Sequence, residues 1–303
     1  MFDYSEYLRN EKLPHIWCPG CGHGIVLKSL IRAVAKAGWS KDDIVLVSGI
    51  GCASRLPGYV DFNTLHTAHG RALAFATGIK LAKPEMHVIV VSGDGDSLAI
   101  GGNHFIHACR RNIDMTLICF NNRIYGMTGG QYSPTTPSDD KTATSPYGNV
   151  EPHFDVAELA KGAGATYVAR GTSYGVPQLD DLIYKGLMHK GFSVIEAAEA
   201  CFTTHGRKNR KKYGPSNLDM LKWQRDHAVP VAKAAEMSPE ELEDKIVTGV
   251  LYDIEKPGLI EQYKKLNRCV YETARSSMEH LVELGYYKKA KAGKKFVYTP
   301  IKR

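Results

Sequence analysis

Gly93-Asp94-Gly95 and Asn122, with 26 residues between them, are the residues of this chain best placed to do chemistry. The run His87-Val88-Ile89-Val90-Val91 enters the Gly-Asp-Gly with the β-branched, continuously apolar character of a buried strand. Met115-Thr116-Leu117-Ile118-Cys119-Phe120 has the same character and delivers Asn121-Asn122. Residues 98–111 between the two runs read as a helix. The segment is then one βαβ unit that brings a carboxylate and an amide oxygen to neighbouring strand ends, the edge at which ligands of open α/β sheets bind. Two oxygen donors beside glycines, which let backbone approach a phosphate, suit Mg²⁺ held partly by protein and partly by a diphosphate. Gly-Asp-Gly alone would mean no more than a turn; the strand, the spacing and the Asn pair together point to a cofactor.

Sulfur is the second chemical signal. Seven cysteines, an odd number, with no signal-like N-terminus argue against a disulfide framework and for a reducing compartment. Cys18-Pro19-Gly20-Cys21 is a C-x-x-C loop whose glycine and proline let the backbone wrap a metal centre. Alone it is ambiguous between zinc, a redox dithiol and iron–sulfur chemistry. Cys109, in a helix, and Cys119, in a strand, read as small core residues. Cys269, in a C-terminal helix, receives no role. Cys52 and Cys201 each follow a strand-like run, so with Cys18 and Cys21 they make four cysteines in loop settings.

These features together resemble a known family. Gly-Asp-Gly followed by the distant Asn resembles the diphosphate motif of thiamine-diphosphate enzymes. That likeness implies Mg²⁺ on Asp94, the Asn122 side chain and the backbone carbonyl of Ile124. Trp17-Cys18-Pro19-Gly20-Cys21-Gly22, Gly51-Cys52, His69-Gly70-Arg71, Gly93-Asp94-Gly95-Asp96 and Asn121-Asn122 through Tyr125-Gly126-Met127-Thr128-Gly129-Gly130-Gln131 stand in the order seen in β subunits of 2-oxoacid:ferredoxin oxidoreductases. The likeness spans about the first 200 residues and weakens beyond them. It implies one 4Fe-4S cluster on Cys18, Cys21, Cys52 and Cys201, although Ala200-Cys201 departs from the Pro-Cys usual there. It implies thiamine contacts at Ile50, Gly51, Cys52, Ala53, His69, Gly95, Asp96, Gly126 and Met127. Cys52 falls in both sets, so cluster and cofactor would lie close together.

The implied reaction is oxidative decarboxylation of a 2-oxoacid to an acyl-CoA, with electrons passed to ferredoxin, possible also in reverse. The carboxylate that activates thiamine resembles a residue of the partner α subunit, so this chain alone should be inactive and should work in an αβ or α2β2 hetero-oligomer. Ser54-Arg55-Leu56-Pro57-Gly58-Tyr59 and Leu65-His66-Thr67-Ala68-His69 look like the 2-oxoglutarate type, which forms succinyl-CoA. Arg55 is the candidate cation for the second substrate carboxylate; a structural or interface ion pair is the equal alternative. Pyruvate or a broad 2-oxoacid range is the competing substrate. Two other classes compete: a non-oxidative thiamine decarboxylase or carboligase with structural zinc, and an electron-transfer scaffold with a degenerate cofactor site.

The elements that must position these residues follow from the apolar pattern. Strands are expected near 44–48, 87–92, 115–120, 166–169 and 193–197, with helices between them, among them 24–37, 70–82 and 155–163. This alternation implies an α/β fold, a parallel sheet with helices on both faces. The resemblance makes it the thiamine-diphosphate-binding fold in residues 1–201, with a basic C-terminal arm in 202–303. Residues 131–153, rich in Pro, Ser and Thr, should form a long loop that covers the diphosphate or meets a partner. Ser238-Pro239-Glu240-Glu241 reads as a helix start. The formal charge is +7, with a basic run at 205–213 and another at the C-terminus. That charge reads either as a solvated face or as a dock for an acidic electron carrier or coenzyme A phosphates; no nucleic-acid fold accompanies it. His66, His104 and His107 are expected to be structural. With 43% hydrophobic residues and no apolar run near membrane length, a soluble cytoplasmic protein without membrane contact is expected.

Overall fold

Alternating apolar strands and amphipathic helices fold here as a wound sheet. The computed structural model describes residues 2–283, 287–292 and 295–300, and it divides into two units, Met1–Gly258 and Leu259–Arg303. In chain order the first unit holds α1 (His23–Ala37), β1 (Ile44–Ser48), β2 (Asn63–His66), α2 (Ala72–Ala82), β3 (His87–Gly93), α3 (Gly102–Arg111), β4 (Met115–Asn121), α4 (Val156–Ala163), β5 (Tyr167–Thr172), α5 (Val176–Met188) and β6 (Phe192–Ala198). It continues with α6 (Arg210–Tyr213), α7 (Asn217–His227), β7 (Ala228–Pro230), α8 (Val231–Ala234), α9 (Pro239–Leu242) and β8 (Ile246–Asp253).

The strands form one sheet in the order β2-β1-β3-β4-β6-β5-β8-β7. Every neighbouring pair is parallel except β5 with β8. On one face Leu46, Ile89, Val91, Ile118, Phe120, Ala169 and Ile195 share a core with Leu27, Leu30 and Ile31 of α1 and Leu179 and Ile183 of α5. On the other face α2, α3 and α4 pack in a row. Strands buried on both sides need apolar residues throughout, and β4 and β6 are buried at every position. Because β1 lies between β2 and β3, the strand order reverses beside β1, and a crevice opens there at the C-terminal ends of the strands.

Three features differ from the pattern-based expectation. First, the helix expected at 98–111 is a π-helical turn, Gly95–Ile100, followed by α3. Glycine permits the close approach at the junction: a Cβ on Gly101 would lie 2.3 Å from the Asp96 carbonyl oxygen. Second, β2 was not anticipated, because Asn63–His66 is a partly exposed edge strand with no apolar run. Third, the chain does not divide at 201/202. Residues 202–258 belong to the main unit, since β8 extends the sheet beside β5 and β7 follows it.

Ser238 opens a helix as expected, and Asp155, the first residue of the helix expected at 155–163, is its N-cap. Asp155 accepts from the Ala157 and Glu158 amides at 2.8 and 2.9 Å, and Ser238 makes a capping box with Glu241. The second unit holds α10 (Leu259–Glu283), which contains Cys269, and a hairpin of β9 (Tyr287–Ala292) with β10 (Lys295–Pro300). Lys294, Lys302 and Arg303 of the basic terminus lie outside the described residues. No helix among the described residues is long and apolar enough to cross a membrane.

Candidate functional site

The end of β3 places Asp94 in the crevice, where the carboxylate is only 2% exposed. Burial pushes its carboxyl up to about 6, and hydroxyl donors oppose that push. The donors are Ser133 Oγ at 2.5 Å and Thr135 Oγ1 at 2.6 Å, both onto Oδ2. Both come from the long loop, which thereby covers the Gly-Asp-Gly. The end of β4 places Asn122 alongside, its Oδ1 accepting from the Ile124 amide at 3.2 Å. Among the described residues nothing donates to the Ile124 carbonyl.

Asp96 is a structural hub. Its Oδ1 accepts from His69 Nδ1, from the Gly70 amide at 2.6 Å and from the Ile50 amide at 3.3 Å, while Oδ2 accepts from Ser92 Oγ at 2.5 Å. One carboxylate therefore ties together the loops after β1, β2 and β3. A Cβ on Gly49 would sit 2.0 Å from Asp96 Oδ2, so glycine is required there. Tyr125 is a further unanticipated member. Its hydroxyl donates to the Gly95 carbonyl at 3.0 Å, and its ring would lie 2.4 Å from a Cβ on Gly95. Burial pushes its phenol up to about 12.

Every residue expected to touch magnesium or thiamine diphosphate lines one cavity of about 100 Å³. The mouth carries exposed apolar side chains, Ile50 and Met127, each 46% exposed.

A second cavity, of about 270 Å³, is lined by Cys18, Cys21, Cys52 and Cys201 together with Trp17 and Arg55. Cys201 joins the set despite its unusual neighbour: a Cβ on Gly126 would lie 3.7 Å from Cys52 Sγ and 3.8 Å from Cys201 Sγ. Burial pushes the Cys52 thiol up to about 11, with Cys201 and Glu199 adding to the push, and burial raises Cys21 and Cys201 as well. Among the described residues no three His, Cys, Asp or Glu close to the spacing of a single ion. Zinc would draw its sulfurs to about 2.3 Å from one centre. Cys109 and Cys119 are buried elsewhere, as expected. Arg55 is exposed on the rim and has no ion pair among the described residues of this chain.

The two cavities share His23, Cys52, Asn122, Gly126 and Met127 as a common wall. His23 had no sequence signal beyond its nearness to the C-x-x-C. It is buried, with Nδ1 3.0 Å from Glu199 Oε1 and 2.9 Å from Cys21 Sγ. Among the described residues His23 Nε2 and Glu199 Oε2 lack a hydrogen-bond partner, and Glu199 Oε1 has only its contact with His23. Orphaned polar atoms this deep mark a place that a bound group would complete. Gly22 allows the approach, since a Cβ there would lie 2.6 Å from Glu199 Cβ. Asn217 Nδ2 holds the C-x-x-C loop through the Pro19 carbonyl at 2.7 Å.

The basic run at 205–213 is only partly a solvated face. His205 is buried and bonds Asp140 Oδ2 at 2.8 Å, and Tyr213 donates to the same oxygen at 2.6 Å. The exposed Lys208, Arg210 and Lys211 border an open hollow that also holds Asp139, Glu243 and Asp244, so the local charge is mixed.

Comparison with known proteins agrees with this geometry. Residues 49–197 match the family described as thiamine pyrophosphate enzyme, C-terminal TPP binding domain. The chain is 52% identical over 261 residues to 2-oxoglutarate synthase subunit KorB of Methanocaldococcus jannaschii, covering 86% of this chain and 96% of the relative. It is 62% identical over 205 residues to the subunit of that name from Archaeoglobus fulgidus, covering 68% and 76%. Among solved structures it is similar to a 2-oxoglutarate:ferredoxin oxidoreductase from Magnetococcus marinus with 2-oxoglutarate, coenzyme A and succinyl-CoA bound. That similarity has a TM-score of 0.79 and 34% identity, and covers 89% of this chain and 91% of the other.

Proposed function

The chain belongs to the β subunits of 2-oxoglutarate:ferredoxin oxidoreductases, and we propose that it carries both redox-active sites of that enzyme on one shared wall. Magnesium is held by Asp94, the Asn122 side chain and the Ile124 carbonyl. Thiamine diphosphate would be held along Ile50, Gly51, Cys52, Ala53, Gly95, Asp96, Gly126 and Met127, with His69 toward the diphosphate. Cys18, Cys21, Cys52 and Cys201 hold one 4Fe-4S cluster, so all the ligands fall within residues 1–201. When bound, thiamine diphosphate would supply the carbanion chemistry of 2-oxoacid decarboxylation and the cluster one-electron chemistry.

The observation that carries this reading is the common wall of His23, Cys52, Asn122, Gly126 and Met127 between the two cavities. Four cysteines around one cavity of about 270 Å³ supply the four thiolates that a 4Fe-4S cluster takes.

The residues present divide the work. Asp96 presets the three loops, which removes the cost of ordering them when the cofactor arrives. Among the described residues the carboxylates lining the cofactor cavity are Asp94 and Asp96. Both are committed, so the carboxylate that activates thiamine comes from the α subunit. Ile50 and Met127 at the mouth are the apolar surface that this subunit covers. Arg55 pairs with the distal carboxylate of 2-oxoglutarate. Coenzyme A accepts the succinyl group, ferredoxin the electrons, and the complex works in the cytoplasm.

The test is an anaerobic preparation of the co-expressed complex, assayed for iron, sulfide and zinc. Its visible spectrum is then recorded before and after 2-oxoglutarate. Four irons and four sulfides per αβ pair, with absorbance bleached by 2-oxoglutarate and weakly by pyruvate, is the expected result. Colourless protein containing zinc would overturn it.

A further inference from the structure

Cys201 differs from the other three cysteines in what touches its sulfur. It opens a π-helical turn, Phe202–Gly206, closed by the His205 and Gly206 amides onto the Cys201 carbonyl at 3.2 and 3.0 Å. The turn folds Thr204 back over the cysteine, with Thr204 Oγ1 3.1 Å from Cys201 Sγ. A thiolate that ligates metal has no proton to give, so the hydroxyl must be the donor. Cys21, by contrast, faces His23 and the Glu199 carboxylate.

Packing fixes the Thr204 side chain. Its Cβ would lie 3.2 Å and its Cγ2 3.7 Å from a Cβ on Gly130, and its Oγ1 3.6 Å from a Cβ on Gly126. Gly130 sits at φ +94, held where its carbonyl accepts from the Ala143 amide at 2.7 Å. Gly126 belongs to the wall shared by the two cavities. The threonine thus sits between the cofactor loop and a cluster cysteine, with Cys201 Sγ as the partner of its hydroxyl.

We propose that Thr204 is a positioning residue that raises the reduction potential of the cluster by donating its hydroxyl hydrogen bond to the Cys201 thiolate. The proposal rests on the reading that Cys201 ligates the cluster. Hydrogen bonds to cluster sulfurs stabilise the more negative, reduced state, and this is one of the levers by which a protein sets cluster potential. The hydroxyl is neutral, so it shifts the potential without adding charge to a site that already faces Glu199.

The experiment is an anaerobic redox titration of the complete αβ complex, followed by electron paramagnetic resonance of the reduced cluster. Wild type, Thr204→Val, Thr204→Ala and Thr204→Ser are compared, each assayed for iron and sulfide. Valine keeps the shape wedged against Gly126 and Gly130 but lacks the donor. Its reduction equilibrium should shift about tenfold toward the oxidised cluster, which is 59 mV lower for one electron. Serine restores the donor and should titrate close to wild type. A fully loaded Thr204→Val or Thr204→Ala titrating at the wild-type potential would overturn the proposal, as would Thr204→Ser falling with valine. Wild type without iron and sulfide would instead overturn the cluster reading itself.

Discussion

Asp94→Asn should separate what a carboxylate costs the fold from what it does for the cofactor. The Asp94 carboxyl is buried and pushed from 3.8 up to about 6, so in the cofactor-free chain its charged form is disfavoured by roughly two pH units. At about 1.4 kcal/mol per unit, that is on the order of 3 kcal/mol. Because the folded pKa is raised, the stability linked to this proton is fully present below about pH 4 and is lost as pH rises through about 6. Asparagine never ionises, and its Oδ1 can still accept from Ser133 and Thr135. Against the gain stands about 1 kcal/mol for the lost bond from the Gly95 amide, which an Asn Nδ2 cannot accept. Chelator-stripped Asp94→Asn complex should therefore be about 2 kcal/mol more stable than wild type at pH 7.5, with the advantage vanishing near pH 4. The same variant should lose Mg²⁺-dependent thiamine diphosphate binding, and wild-type Mg²⁺ affinity should fall about tenfold per pH unit below 6, as the proton competes at Asp94. Denaturation across pH on stripped complex, with calorimetric titration of the cofactor, reads both arms. An Asp94→Asn complex destabilised at pH 7.5, or one binding cofactor with wild-type affinity, would refute the reasoning.

Three further substitutions test separate parts of the site. Gly49→Ala drives a Cβ into the buried Asp96 carboxylate, and the displaced bonds to Gly70 and Ser92 should cost about 1–3 kcal/mol each; a normal melting temperature would show that the hub can yield. Cys201→Ser should lower the iron content per complex while Cys119→Ser, in the core of β4, leaves it unchanged; equal iron in both would remove Cys201 from the ligand set. Arg55→Met should raise the KM for 2-oxoglutarate at least tenfold and leave that for pyruvate nearly unchanged, since a lost charge-assisted pair is worth about 1.5–3 kcal/mol; steady-state kinetics with an unaltered preference would take Arg55 out of the substrate pocket.

Much of this protein was legible without its fold, because the decisive residues sit where local pattern and motif coincide. Strand ends are written as apolar runs broken by Gly, Asp or Asn, so β3 and β4 announced Asp94 and Asn122. Neighbouring parallel strands can only bring those ends to one edge. Family likeness then sorted Cys18, Cys21, Cys52 and Cys201 from the three cysteines inside elements, and all four line one cavity. The unrecognised parts depend on contacts that no period or spacing encodes. Ser133 reaches Asp94 across 39 positions from a loop with no pattern, and His23, at the start of α1, meets Glu199, just past β6. Asp96 looked like one more cofactor contact, but the hydrogen bonds on its two oxygens make it the tie between three loops. The edge strand β2 and the late strands β7 and β8 were hidden for a related reason: partly exposed strands need no continuous apolar run. Sequence determined which groups could bind metal, phosphate and sulfur, since that is residue chemistry. Only the tertiary structure decided which groups share a wall, because distance between remote residues is set by how the whole sheet and its loops pack.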